Sequence, residues 1–170
     1  MRKRKLLKVG ESYSHATAQA EDIIPALMDA LEGVDRAATR KIRRRYPNLF
    51  KRRRGSGPGW RDSLVGNVRD LEGKSDEEQE CIAELEDVLT ERCPPYSYVG
   101  SHPGNSSDIG CWPDLERLEE AVADGEVLKD EDVFWLKKGE LPEVECILHV
   151  NDHGNITLYD RDGREIWAVV

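Results

Sequence analysis

An α+β fold is the class this sequence predicts: N-terminal helices packed with a C-terminal antiparallel sheet in one compact unit. Three observations predict it. Apolar residues recur at helical spacing through the N-terminal part of the chain. Pro94-Pro95 forbids helix continuation, and strand-type residues follow it. The last 27 residues then alternate short β-type runs with two polar, glycine-containing turns.

The elements follow in chain order. Residues 1–13 are basic and aperiodic, and read as an arm or an edge strand. The first helix runs from Pro25 to about Glu32, with Ile24, Leu27, Met28 and Leu31 at helical spacing and Gly33 ending it. Some helix precedes Pro25, from about Ser14, with a kink or break at the proline. Asp35 is an N-cap for a second helix, Arg36 to Tyr46, stopped before Pro47. Gly55-Ser56-Gly57-Pro58-Gly59 is linker chemistry. A helix from Ser63 to Glu72 is expected from Leu64, Val65, Val68 and Leu71. Ser75 with Glu78 is a capping box that opens a helix to about Arg92, its apolar face Ile82, Leu85 and Leu89.

Tyr96 to Val99 reads as a strand, Pro103 to Asp108 as a turn, and Ile109 to Trp112 as a short returning strand. A helix from Asp114 to Ala123 is closed by Gly125, and Asp130 caps a short helix up to Gly139. Val144–Val150, Ile156–Tyr159 and Arg164–Val170 form an antiparallel meander through the turns 151–155 and 161–163. The organisation expected is a basic helical segment over 1–54, the linker 55–59, and an acidic α+β region over 60–170, together one domain. The total is four N-terminal helices, a sheet of four to five strands and one or two further helices.

With 170 residues the chain is long enough to bury about 70% of its unfolded surface without a metal or disulfide. The core must be economical, because 38% of residues are hydrophobic and 35% charged. Cys81, Cys93, Cys111 and Cys146 form no C-x-x-C pair and fit no zinc spacing, so reduced thiols in a reducing aqueous compartment are expected, with no metal and no cofactor. The basic start Met1 to Lys5 lacks the apolar run of a secretory signal, and no stretch approaches the ~20 apolar residues of a membrane span.

Charge divides the chain. Residues 1–61 hold 16 Lys and Arg against 6 Asp and Glu, a net of +10; the rest carries −19, within a total of −9. Arg36, Arg40, Arg43 and Arg44 recur at helical spacing, and Lys51-Arg52-Arg53-Arg54 adds a second cluster. Polyanion binding wants several cations on one face, because each phosphate neutralised releases a counterion. Arg40, Lys41, Arg43, Arg44, Arg45, Lys51, Arg52, Arg53 and Arg54 are the candidate phosphate contacts, with Tyr46, Phe50 and Trp60 near enough to stack on bases. The competing reading is a solvated face balanced by the acidic part. That part offers the mirror case: carboxylates at 76–78, 84–87, 116–120 and 130–132 can imitate a phosphate track and occupy a DNA-binding protein.

For catalysis the candidates are His102, Asp108 and His153, from two polar loops of one sheet, with Ser106, Ser107 and Asp152 beside them. The competing reading is turn chemistry. His149 and His153 are four apart but on a strand and a turn, so they do not form a helical metal pair. Gly100, Gly104 and Gly110 would let backbone amides approach an anion, though they match no phosphate-loop fingerprint.

Tyr98-x-Gly100-x-His102-x-Gly104-x-x-x-Asp108-x-Gly110-x-Trp112 resembles a stretch in small proteins of tailed phages and prophages. The ending Val150-Asn151-Asp152-His153-Gly154-Asn155-x-Thr157-Leu158-Tyr159, followed by Glu165-x-Trp167-x-Val169, is similar to the same group. Together these cover about the last 75 residues. That group has no established activity. The resemblance implies a phage accessory gene product in a bacterial cytoplasm; it does not extend to the basic stretch, whose expected contact with nucleic acid or a host nucleic-acid machine rests on charge alone.

Overall fold

A computed structural model describes residues 5–15, 19–50, 75–131 and 144–169. The linker 55–59, the helix expected at 63–72, the cluster Lys51–Arg54 and most of the helix expected after Asp130 lie outside these residues. The elements are β1 (Glu11–Ser14), α1 (Ala20–Val34), α2 (Arg36–Arg45), α3 (Asp76–Thr90), β2 (Ser97–His102), β3 (Asn105–Pro113), α4 (Leu115–Ala123), β4 (Val127–Lys129), β5 (Cys146–Val150), β6 (Ile156–Asp160) and β7 (Glu165–Val169). The fold is α+β, as the sequence pattern predicts, with its strands in two sheets rather than one. The first has the order β1-β3-β2 and the second β4-β5-β6-β7.

In α1, Ala20, Ile23, Ile24, Leu27, Met28 and Leu31 are all buried, and this one continuous stripe packs against α3. The helix therefore continues through Pro25 from Ala20, where a kink or break was expected; it is not broken there. A proline forfeits one backbone bond; the buried stripe continues on both sides of it and holds the helix together. The capping box of α3 forms as its sequence predicts. Ser75 Oγ accepts from Glu78 N at 3.3 Å, and Glu78 Oε2 accepts from Ser75 N at 2.8 Å. Leu85 and Leu89 of α3 complete the interface with α1 and are fully buried.

The N-terminal arm becomes the edge strand β1, antiparallel to β3 with Glu11 opposite Cys111 and Ser12 opposite Gly110. The expected turn over 103–108 is shorter than its composition suggests. Only Pro103 and Gly104 make it, and Asn105 already pairs with His102. The C-terminal meander β5-β6-β7 is antiparallel throughout. Its outer neighbour β4, missed in the sequence because three residues are too few for a period, pairs with β5 in parallel. A parallel pair needs a long crossover, and residues 130–145 supply its length.

One apolar core unites both sheets, from Ile24 and Leu27 of α1 through Val99 and Cys111 to Leu148, Leu158 and Trp167. Trp167 also donates its Nε1–H to the Pro95 carbonyl at 2.8 Å, which ties the second sheet to the corner between α3 and β2. At that corner Tyr96 takes φ 56°, a left-handed conformation that costs a non-glycine residue about 1–2 kcal/mol. Burial of its ring offsets the strain. Among the described residues no helix is long and apolar enough to cross a membrane.

Gly110 fixes how closely β1 approaches β3. A Cβ at this position would lie 2.5 Å from Glu11 O, 2.9 Å from Ser12 Cα and 2.6 Å from Trp112 Cζ2. Two of these are backbone atoms of the neighbouring strand. Gly110→Ala is expected to push β1 off the sheet and cost about 1–3 kcal/mol in urea unfolding. An unchanged urea midpoint would mean that β1 is not held in this register.

Candidate functional site

The basic helix α2 is positioned from its first residue. Asp35 Oδ1 accepts from the N–H groups of Ala37 and Ala38, both at 3.0 Å, and its Oδ2 accepts from Arg92 Nη2 at 2.9 Å. The N–H groups and then the Arg92 guanidinium hold the Asp35 carboxyl below its ordinary range, against a smaller opposing effect of burial. Thr39, Ile42 and the following Tyr46 turn inward and are buried. The Tyr46 hydroxyl donates to Glu84 Oε2 at 2.8 Å, and burial, followed by this bond, pushes its pKa upward.

The cations of α2 fall into two sets around that inward face. Arg43 and Arg45 flank it and are neutralised by the chain itself. Arg43 lies 3.8 Å from Glu32 of α1; Arg45 lies 3.1 Å from Glu84 and 3.4 Å from Glu80 of α3. The charge of Glu84 foremost raises the Arg45 pKa. Arg40, Lys41 and Arg44 project on the opposite side, and Arg36 stands at its edge. All four are exposed, and none is ion-paired to another described residue. From Arg36 to Arg44 the helix rises about 12 Å, a length of duplex that carries about seven phosphate charges on its two strands. Of the nine sequence candidates, Arg40, Lys41 and Arg44 thus stand on the open face, with Arg36 exposed at its edge. Arg43 and Arg45 serve the helix packing, and Lys51, Arg52, Arg53 and Arg54 lie outside the described residues.

No family model matches this chain, and no curated protein or solved structure matches it. Its chemistry has to be read from its own side chains.

Among the described residues, none of the catalytic candidates His102, Asp108 and His153 is hydrogen-bonded to another. His102 Nδ1 accepts from Gly104 N at 3.0 Å, and its ring stands edge-on to Trp112 with centroids 4.6 Å apart. His153 is exposed in the hairpin turn, where its backbone N–H donates to Asn151 Oδ1 at 2.9 Å. Asp108 joins two residues that the sequence does not flag. It accepts a hydrogen bond from Ser12 Oγ, and its Oδ1 lies 3.4 Å from His15 Nδ1. A serine, a histidine and an aspartate therefore meet, but not as a relay. In a relay the imidazole bridges, one nitrogen on the carboxylate and the other on the serine. Here one nitrogen, His15 Nδ1, faces both Ser12 Oγ at 3.1 Å and Asp108, while the serine proton goes straight to the carboxylate. The cluster fastens β1 to β3.

His149 Nδ1 pairs with Asp130 Oδ2 at the end of β4. Among the described residues no group of three or more His, Cys, Asp or Glu side chains is placed to hold a metal ion.

Two stability predictions follow from these contacts. Asp35→Ala removes both the cap and the ion pair and is expected to cost about 1–2 kcal/mol in chemical denaturation at pH 7. Asp35→Asn keeps a capping oxygen and should cost less. Because the folded carboxyl titrates below its unfolded value, this contribution is fully present above about pH 4 and is lost as pH falls through the folded pKa. The wild-type advantage over Asp35→Ala should therefore shrink in acid; a constant difference between pH 7 and pH 3 would contradict the assignment. Ser12→Ala should likewise cost about 1–2 kcal/mol, since it strips a largely buried carboxylate of a donor. His15→Ala should be near neutral, because that side chain is 72% exposed. Equal losses for the two would mean that the imidazole, not the serine, holds Asp108.

Proposed function

We propose that this protein is a small non-enzymatic nucleic-acid-contacting protein, with α2 and the Lys51–Arg54 cluster as its phosphate-binding surface. One observation carries the reading. Within a single helix the two arginines that flank the core are paired internally, while Arg36, Arg40, Lys41 and Arg44 stay exposed and without an ion pair to another described residue. The chain leaves α2 at its C-terminal end and reaches Lys51 five residues after Tyr46, so the second cluster extends the same basic tract. The likeness of the last 75 residues to small tailed-phage proteins supplies the setting: a phage accessory product in a bacterial cytoplasm, acting on nucleic acid or on a host nucleic-acid machine.

The acidic-mimic alternative has less behind it. Four of the seven carboxylates of α3 are engaged within the protein: Glu78 closes the capping box, Glu77 accepts from Asn48, and Glu80 and Glu84 hold Arg45. A mimic needs such a row free for a partner. The hydrolase alternative at His102, Asp108 and His153 lacks a contact linking its members, and Asp108 is committed to Ser12.

Anisotropy of labelled duplex and single-stranded DNA, titrated across a salt series, tests the proposal. Four phosphate contacts from α2 alone give a log–log salt slope of about −3.6, steeper if Lys51–Arg54 contribute. Replacing Arg40, Lys41 and Arg44 together by Ser should flatten the slope by about 2.7 and leave thermal unfolding unchanged. No binding by the wild type at low salt would overturn the reading.

A further inference from the structure

Two of the four cysteines meet in space although 18 residues separate them. Cys93 Sγ and Cys111 Sγ lie 3.3 Å apart. Cys93 stands in the corner between α3 and β2, and Cys111 in the middle of β3, the central strand of the first sheet. Their surroundings differ. Cys111 is fully buried. Cys93 is half-buried and lines a cavity of about 530 Å³ between that corner and α4, whose wall also includes Tyr96, Arg117 and Glu120. Cys93 thus borders an opening, and the Cys111 sulfur lies 3.3 Å from its own, shut off from solvent.

We propose that Cys93 and Cys111 are a redox-active dithiol, with Cys93 the entry thiol for a small disulfide such as oxidised glutathione and Cys111 the resolving thiol. The Cys93 sulfur attacks one sulfur of the external disulfide, forming a mixed disulfide and expelling one thiolate. The Cys111 sulfur then attacks Cys93 Sγ and expels the second. The two protein thiols lose two electrons and form one bond; the external disulfide gains those electrons and breaks. The two thiol protons end on the two released thiolates.

The 3.3 Å separation of the two sulfurs favours the second step. The Cys93 S–H held towards Cys111 keeps Cys111 below the ordinary thiol range, and Cys93, holding the proton, is raised by that bond and then by burial. The first step should therefore quicken as pH rises. Cys81 and Cys146 have no such neighbour. Burial foremost pushes them up to about 12 and about 11, and they act as apolar packing. The Tyr13 hydroxyl is buried with no hydrogen-bond partner among the described residues, and burial foremost raises its pKa. The inference does not depend on nucleic-acid binding. It has a structural consequence, because Cys93 follows Arg92, the residue that holds Asp35 and with it the start of α2.

The experiment is incubation of the native full-length chain with excess oxidised glutathione at pH 7 and pH 8.5, acid quench, thiol trapping and peptide mass mapping. The expected product is a single internal Cys93–Cys111 linkage, faster at the higher pH, with Cys81 and Cys146 recovered as free thiols. Cys111→Ser should stop at a stable glutathione adduct on Cys93, and Cys93→Ser should take up no glutathione. Should Cys111→Ser not fold, the wild-type map still decides. Recovery of Cys93 and Cys111 as free thiols, a terminal adduct on Cys93, or a linkage through Cys81 or Cys146 would each overturn the proposal.

Discussion

Asp35 is where the helical part of this protein is joined. Its N–H closes α1 by donating to Leu31 O at 2.6 Å, and its carbonyl accepts from the backbone and the hydroxyl of Thr39 in the first turn of α2. One side-chain oxygen caps α2, and the other holds Arg92 beyond the end of α3. Arg92 in turn offers its carbonyl to Leu7 N, ahead of β1. A single residue thus sets the angle between two helices, and through Arg92 it ties them to the third helix and to the edge of the sheet. Such a junction allows a ten-residue helix with little apolar surface to be stably placed, because so short a helix is marginal without caps and tertiary contacts.

That constraint explains the distribution of charge. α2 has only Thr39 and Ile42 to bury. Its remaining grip on the protein is polar: Tyr46 on Glu84, Arg45 on Glu80 and Glu84, and Arg43 on Glu32. The opposite signs of the two parts of the chain are therefore partly cancelled within the fold, at the α2–α3 contact. Exposed ion pairs of this kind add little stability individually, and the buried Thr39 and Ile42 set which face of α2 turns outward. In α2, the cations without an ion pair to another described residue are Arg36, Arg40, Lys41 and Arg44.

The elements legible in the sequence were those with local instructions. Asp35 before α2, Ser75 and Glu78 at α3, Asp114 before α4, and the two polar turns of the meander each specify their own neighbourhood, and each forms. What the sequence hid is non-local. The division of the strands into two sheets depends on which edges meet. The parallel pairing of β4 depends on a crossover that no three-residue pattern announces. The meeting of Ser12 with Asp108 spans 96 residues, and that of Cys93 with Cys111 spans 18. The alternation of Ser12 and Ser14 with bulkier neighbours in β1 was the only available hint of the first, and it was too short to read. Of the basic face, the sequence showed the cations but not which of them the acidic helix would claim.

The stretch from Tyr98 to Trp112 shows how a chemically suggestive motif can be a packing device. A Cβ on Gly100 would lie 3.3 Å from the Tyr98 ring, and one on Gly104 would lie 3.3 Å from the ring of His102. His102 leans on Trp112, and Trp112 donates its Nε1–H to Gly100 O at 3.0 Å. Asp108 fastens β1, and Gly110 admits its backbone. Every glycine that might have opened the main chain to an anion is occupied by the protein's own rings or by a neighbouring strand. The spacing of the motif is that of the β2–β3 hairpin, which needs small residues where aromatic rings cross it and polar ones where β1 is tied. Glycine, histidine and aspartate recurring together are thus accounted for by the hairpin's own geometry, and a chemical role for this chain is better sought on the outward face of α2 and at the sulfur pair beneath the corner of α3.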